Sequence, residues 1–419
     1  MGDDQLYAIH LMTLSEYYRI NQQRDEAISC AENSIQLLSD GSQISQIVSK
    51  LQLAIICFEA GDSIKAIHYA EEGVSRAKSV NDKEYLYLAQ SLFTYFCWEY
   101  REFGKAELCL SEELDSLRSF ISNELTEMTT EQKQRLWSKY EHSFLLYRNI
   151  VEKSNRNDIL ISKLYDYVIF SKSLLLDYDI QNNAHMLILS WKDIQQQLSD
   201  NELAIEFITT FDEVENGYTY HALVLDNKNP FPSMITLCSD TDIKEKKKDV
   251  TRNILDIVGE LIWNPILAQY SNTRNIYFSP DGILHIIPIE YFNLNSTTNY
   301  EHYSMYRLSS TKELVKEQKN CLFHSAILYG GLDYNQPTGA DSEMGAEVNE
   351  IANRAGFDPL FNTVVETQEI KVLLEEKNIN TTLYTGEFGT EISFRNLSNQ
   401  NHSIIHLATH GMYVSPEDV

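Results

Sequence analysis

One set of residues returns three times near the N-terminus at almost constant spacing, and this constrains the fold of that half more than any other feature. Ala27-Ile28, Ala31 and Ile35 are followed by Ala66-Ile67, Ala70 and Val74, then by Ala106-Glu107, Leu110 and Leu114. Each set has offsets 0, +4 and +8, which lie on one face of a helix. The anchor alanines are 39 and 40 residues apart. A polar or glycine pair precedes each anchor: Arg24-Asp25, Gly61-Asp62 and Phe103-Gly104. Aromatic residues come before each pair: Tyr17 and Tyr18, then Phe58, then Trp98 and Tyr100.

This pattern predicts a helix–turn–helix unit repeated three times. Small residues let the two helices of a hairpin approach, and aromatics fill the gap to the next unit. The array resembles the tetratricopeptide repeat (TPR) family, with units longer than the usual ~34 residues. The competing reading is an irregular helical bundle with chance spacing. Residues 116–180 continue as helix, with Leu145, Ile150, Leu164, Tyr167, Ile169, Leu174 and Leu176 as expected core.

The texture changes near Ala184. LAIEFITTF (203–211) and YTYHALVLD (218–226) have strand composition, with Asn216-Gly217 supplying a turn before the second. A charged helix is expected over 241–262. NIYFSPDGILHIIPIEYF (275–292) reads as strand, tight turn at Pro280-Asp281-Gly282, strand, then helix. AILYGGLDY (326–334) is a strand that stops at Gly330-Gly331, 343–355 an acidic helix, TTLYTG (381–386) a strand, 390–398 a helix, and SIIHLATHG (403–411) the last strand. The expected fold class is therefore α plus α/β. Helical repeats at 1–183 precede an α/β domain at 184–419, built on a mostly parallel sheet covered on both faces.

Composition narrows the function classes. The net charge of −27 opposes phosphate backbones, so no nucleic-acid contact is expected. The basic cluster at 244–248 has Asp240, Asp242, Glu245 and Asp249 around it and reads as a solvated helix face. No apolar run reaches the ~20 residues that span a bilayer, so no membrane contact is expected. MGDDQLYAIH is acidic where a secretion signal is basic, and Gly2 is followed by acids rather than a myristoylation pattern. Six scattered cysteines with no CxxC pair suit a reducing cytoplasm and read as small core hydrophobes, Cys321 included.

Catalytic groups in such sheets collect at the C-terminal ends of strands. SIIHLATHG delivers His410 to such an end, with Gly411 offering a backbone N–H that can approach a reacting oxygen. His406 and His410 would suit zinc if helical, but on a strand four residues span about 13 Å, too far for one ion. No metal and no cofactor is expected. His406 reads as a satisfied structural residue, and for His410 the pattern leaves a structural and a catalytic reading open. Gly330-Gly331 lacks the Lys-Ser/Thr of a phosphate loop, and Asp281 reads as bonding its own turn. No GxSxG supports a serine hydrolase.

HLATHG at 406–411 resembles the signature of CHAT proteins, caspase-like peptidases found beside TPR arrays. Trp191, FSPDGILHIIPIEYF (278–292), YSMYRLSST (303–311), LYGGLDY (328–334) and the helix with Glu347 and Glu350 are similar to other family segments in the same order. The resemblance covers about 185–419. It implies a Cys–His dyad with His410 as general base and Gly411 N–H as an oxyanion donor. It also implies a protein substrate, a protein partner received by the repeats, and a bacterial stress or defence setting. The cysteine is expected roughly 50 residues after the histidine, beyond Val419. On that expectation the chain as given lacks its nucleophile and is inactive. The alternative is an inactive repeat scaffold carrying a pseudo-protease domain.

Overall fold

The computed structural model describes residues 3–410 apart from 39–42, 81, 125–127, 155, 173, 175–188, 213–215, 250, 295–296, 300–301, 317–322, 334–359 and 399. Two compact units result, Met1–Lys316 and Glu317–Val419. The expected boundary at 183/184 falls inside the first unit.

That unit opens with α1 (Asp3–Ile20), α2 (Arg24–Leu37), α3 (Gln43–Glu59), α4 (Ser63–Val80), α5 (Lys83–Glu99) and α6 (Phe103–Glu124). They pack as three hairpins, α1 on α2, α3 on α4 and α5 on α6. Ala27, Ala66 and Ala106 are each fully buried, as are Ala31 and Ala70. Contact is close: a Cβ on Gly73 would lie 2.7 Å from Leu51 Cδ2, so α3 and α4 cross without room for a larger residue.

The three turns match bond for bond. The N–H of Gln23 donates to the Tyr18 carbonyl at 2.9 Å, and that of Gln22 to Arg19 at 3.0 Å. Asp62 and Gly61 repeat this on Cys57 and Phe58, both at 2.9 Å, and Glu102 and Arg101 on Cys97 and Trp98 at 2.8 and 3.0 Å. This bond pair is the Schellman helix ending, which requires a left-handed residue after the helix. Gln22, Gly61 and Arg101 supply it with φ of 60°, 76° and 60°. The turns therefore lie just before Arg24-Asp25 and Phe103-Gly104, which open the second helices instead.

Next come α7 (Thr130–Lys153), opened by a capping box between Thr129 and Gln132, and α8 (Asp158–Ser171), capped by Asn157. Ile150, Leu164, Tyr167, Ile169 and Leu174 are buried as expected. Leu145 is not: it is 42% exposed, because it lines a cavity rather than a neighbouring helix. Leu176 lies outside the described residues.

After α9 (Trp191–Gln195) come β1 (Glu202–Asp212), β2 (Gly217–Leu225), β3 (Ser233–Ser239), α10 (Asp240–Lys247), β4 (Asn275–Ser279), the small ladder of β5 (Asn293–Leu294) and β6 (Thr297–Thr298), and β7 (Ser304–Arg307). The larger sheet has the order β3-β2-β1-β4-β7. It is mixed, not mostly parallel: β1–β2 and β2–β3 run antiparallel, β1–β4 and β4–β7 parallel. The reason is connection length. Asn216 at φ 46° turns β1 into β2, and residues 226–232 are too few for the crossover a parallel pair needs.

Two further expectations are corrected. The charged stretch 241–262 is not one helix. It breaks after Lys247, and a second helical run from Ile254 passes through a π segment at Gly259–Trp263. Pro280-Asp281-Gly282 does not lead into a strand either. Gly282 at φ 54° sends the chain off the sheet into a 3-10 turn, Gly282–His285.

The sheet's faces follow the period of two. Ala204 and Ile208 join Leu223 and Leu225 in one core with Phe144, Tyr167 and Phe170 of the helices. Leu203, Ile205 and Phe207 pack oppositely with Trp263, Phe278 and Phe292.

In the second unit β8 (Ser325–Leu332), β9 (Asn380–Gly386) and β10 (Ile404–Leu407) form a parallel sheet of order β10-β8-β9, with α11 (Asn362–Glu376) and α12 (Glu391–Arg395). The expected helix at 343–355 lies outside the described residues.

Candidate functional site

β8 and β10 end side by side. Their parallel register runs from Ile404 opposite Ala326 to Leu407 opposite Tyr329. The Ala408 N–H still donates to the Tyr329 carbonyl at 2.8 Å, and the chain then leaves the sheet. His410 follows, half-buried, three positions past the last strand residue. Gly411 lies outside the described residues.

β8 does not stop at Gly330-Gly331 as expected but runs through them to Leu332, which still pairs with Gly386 of β9 after a register shift. A Cβ on Gly330 would lie 2.5 Å from the Thr363 carbonyl oxygen, and one on Gly331 2.2 Å from Val364 Cγ2. The Gly331 N–H donates to Thr363 Oγ1 at 2.8 Å. The glycines thus let α11 rest directly on the strand.

Alternation along β10 separates its side chains. His406 meets α11, with Nε2 3.0 Å from Glu366 Oε1. Ile405 and Leu407 point the other way and are 48% and 49% exposed, so the cover expected on both faces of the sheet is not seen at β10. Tyr329 of β8, on the same side as Ile405 and Leu407, is covered by the stacked ring of Tyr384 at 4.8 Å and the edge of Phe394 at 6.0 Å.

Residues 254–418 match the CHAT domain family. That segment is similar to a CHAT domain. The match includes β4 to β10 and His410. No curated protein matches the chain. Among solved structures, the apo form of RapI aligns at 13% identity and a TM-score of 0.28, over 47% of this chain and 74% of that one. A likeness that slight carries no weight.

The cysteines that are described offer no poised nucleophile. Burial pushes the thiols of Cys97, Cys109 and Cys238 up to about 12, and those of Cys30 and Cys57 upward too. Such thiols stay protonated at neutral pH. Cys321 lies outside the described residues. Among the described residues no cluster of three His, Cys, Asp or Glu is gathered for a metal ion, and no helix is long and apolar enough to cross a membrane.

The side chain of Asp281, within the CHAT match, does not bond its own turn. It accepts from the Thr209 N–H at 2.8 Å, the Thr209 hydroxyl at 3.0 Å and Arg148 Nη1 at 2.7 Å. A buried network beside it was missed in the sequence. Glu206, fully buried in β1, lies 2.9 Å from Lys172 Nζ and accepts from Ser310 Oγ and the Thr311 N–H at 3.0 and 2.6 Å. Lys172 also donates to the Phe207 and Pro280 carbonyls at 2.8 and 3.0 Å. The signal was a lone glutamate inside the apolar run LAIEFITTF. Oε1 takes the hydrogen bonds and Oε2 faces Lys172 in the ion pair, so the charge is paired and its work is structural.

Proposed function

We propose that this chain is part of a repeat-linked, caspase-like cysteine endopeptidase in which His410 is the general base. The observation that carries the reading is an imidazole leaving the C-terminal end of a parallel strand, beside the end of β8, within a segment similar to a CHAT domain. In this reading His410 takes the proton of a thiol and the thiolate attacks the peptide carbonyl. The Gly411 N–H and the amide of the cysteine hold the oxyanion. His410 then hands its proton to the leaving amine, and water hydrolyses the thioester. None of the described cysteines is exposed, and burial raises each of their thiols, so none of them is offered as the nucleophile in this reading. The substrate is a protein, the helical repeats receive a protein partner, and the setting is the cytoplasm.

The test is to assay the 419-residue chain, and any longer protein its reading frame encodes, for thiol-dependent cleavage of an unfolded protein. In whichever form cleaves, His410→Ala should cost about 100-fold or more. Full activity of His410→Ala would remove this residue from the mechanism.

A further inference from the structure

The first unit contains a cavity of about 1070 Å3 between α5, α6 and α7 on one side and the ends of β1 and β2 with the Asp281 turn on the other. Its wall is rich in aromatic rings, among them Tyr87, Tyr95, Trp98, Phe211 and Tyr218. Glu113 of α6 lines it and is only 3% exposed. One carboxyl oxygen of Glu113 accepts from Ser143 Oγ at 2.9 Å, and the other is buried with no hydrogen-bond partner.

A buried carboxyl oxygen without a partner is costly in a folded protein. The other charged or titratable groups on the wall do not supply one, the hydroxyls of Tyr87, Tyr95, Tyr218 and Tyr220 included. Arg148 is engaged by Asp281 at 2.7 Å, Lys244 and His142 are exposed, and Glu99, Asp240 and Asp281 are themselves acids. Aromatic faces attract cations, and a chain of net charge −27 draws them from a distance.

We propose that this cavity binds a cationic group of guanidinium or ammonium type, with Glu113 as its counter-ion and the aromatic wall around its stem. Burial pushes the Glu113 carboxyl up to about 7, so an arriving cation would restore its charge and release a proton. The proposal does not depend on the peptidase reading.

The experiment is calorimetric titration of the 419-residue chain at low salt with two probes, capped Gly-Gly-Arg-Gly-Gly and L-argininamide, each beside its citrulline counterpart. The arginine probes should bind about tenfold or more tightly than the citrulline ones, and Glu113→Gln should lose about tenfold or more. At pH 6, titrations in buffers of different ionisation enthalpy should show proton release in the wild type and none in Glu113→Gln. A peptide that binds better than argininamide identifies a basic side chain of a protein partner, and equal binding identifies a small amine. If Glu113→Gln does not fold, Tyr95→Leu on the wall should weaken binding several-fold. The proposal is overturned if neither arginine probe binds, if citrulline binds equally well, or if the folded variants keep full affinity.

Discussion

Arg148 of α7 and Asp281 of the turn after β4 meet at 2.7 Å although 133 positions separate them in sequence. The Arg148 side chain is only 6% exposed, and Asp281 also takes two bonds from Thr209 of β1. One carboxylate thus fastens a repeat-side helix to the sheet. Replacing Arg148 by Met leaves a buried acid unpaired and should cost about 3–5 kcal/mol in urea unfolding. Burial raises the Asp281 pKa, but the charges of Arg148 and Lys172 and the Thr209 bonds outweigh it and hold the carboxyl below its usual range. The folded state therefore resists protonation. This contribution is full above the unfolded value of about 4 and is lost as pH falls further. In Asp281→Asn that acid-side loss should shrink.

The equivalent turns at Gln22, Gly61 and Arg101 make a second prediction. Only the middle one has the residue that a left-handed conformation favours. Gln22→Gly and Arg101→Gly should each stabilise the chain by about 0.5–1 kcal/mol, and Gly61→Ala should destabilise it by a similar amount. The two gains should add, because the sites share no partner. Thermal unfolding of the single and double variants checks both statements.

Overpacking tests the hairpin seams. Ala66 is fully buried. Ala66→Trp should destabilise the array by about 1–3 kcal/mol, measured as a shift in urea midpoint without loss of helical circular dichroism at zero denaturant.

His221 predicts a pH dependence. It is fully buried between Thr210 and Thr236, with its ring nitrogens 2.8 and 3.2 Å from their hydroxyls. Burial pushes the imidazole down to about 3. The unfolded chain binds that proton near pH 6.5, so stability is lost as pH falls from about 6.5 towards 3, by at most about 1.4 kcal/mol per unit. Glu113, raised to about 7, acts in the opposite sense between about 7 and 4.5. The two are separated by difference: His221→Gln should be less stable than wild type at pH 7, and the gap should close towards pH 5.

Among the described strands β10 stands at an edge of its sheet, with Ile405 and Leu407 about half exposed. Such an edge invites pairing with other chains. Ile405→Lys with Leu407→Lys should lower concentration-dependent light scattering of the 419-residue chain while leaving its circular dichroism unchanged. Unchanged scattering would show that association arises elsewhere.

What the sequence revealed depended on the range of the interaction. Helix periodicity is local, so Ala27, Ala66 and Ala106 announced the hairpins. The equivalent turns escaped because Gln22 and Arg101 take a glycine's conformation without being glycine. Strand composition was legible, but strand direction followed the length of the connections. Helix α11 went unread although it covers β8 through Thr363 and Thr367. The ion pairs Arg148–Asp281 and Lys172–Glu206 join residues far apart in the chain, and no window on the sequence brings them together.

One apolar core in the first unit contains both Phe144, Tyr167 and Phe170 of the helices and Ala204, Ile208, Leu223 and Leu225 of the sheet. A shared core has an evolutionary cost. Repeat arrays are commonly exchanged between proteins as cassettes, because each unit touches only its neighbours. Here α7 and α8 form a wall of the sheet, so a transplanted array must bring them along or leave a hydrophobic face bare. The same core reaches out to α3 and α4. Only the outermost hairpin, α1 and α2, packs in a small cluster of its own with Leu53 and Ile56, so it is the portion that recombination can replace with least remaking of the fold beneath.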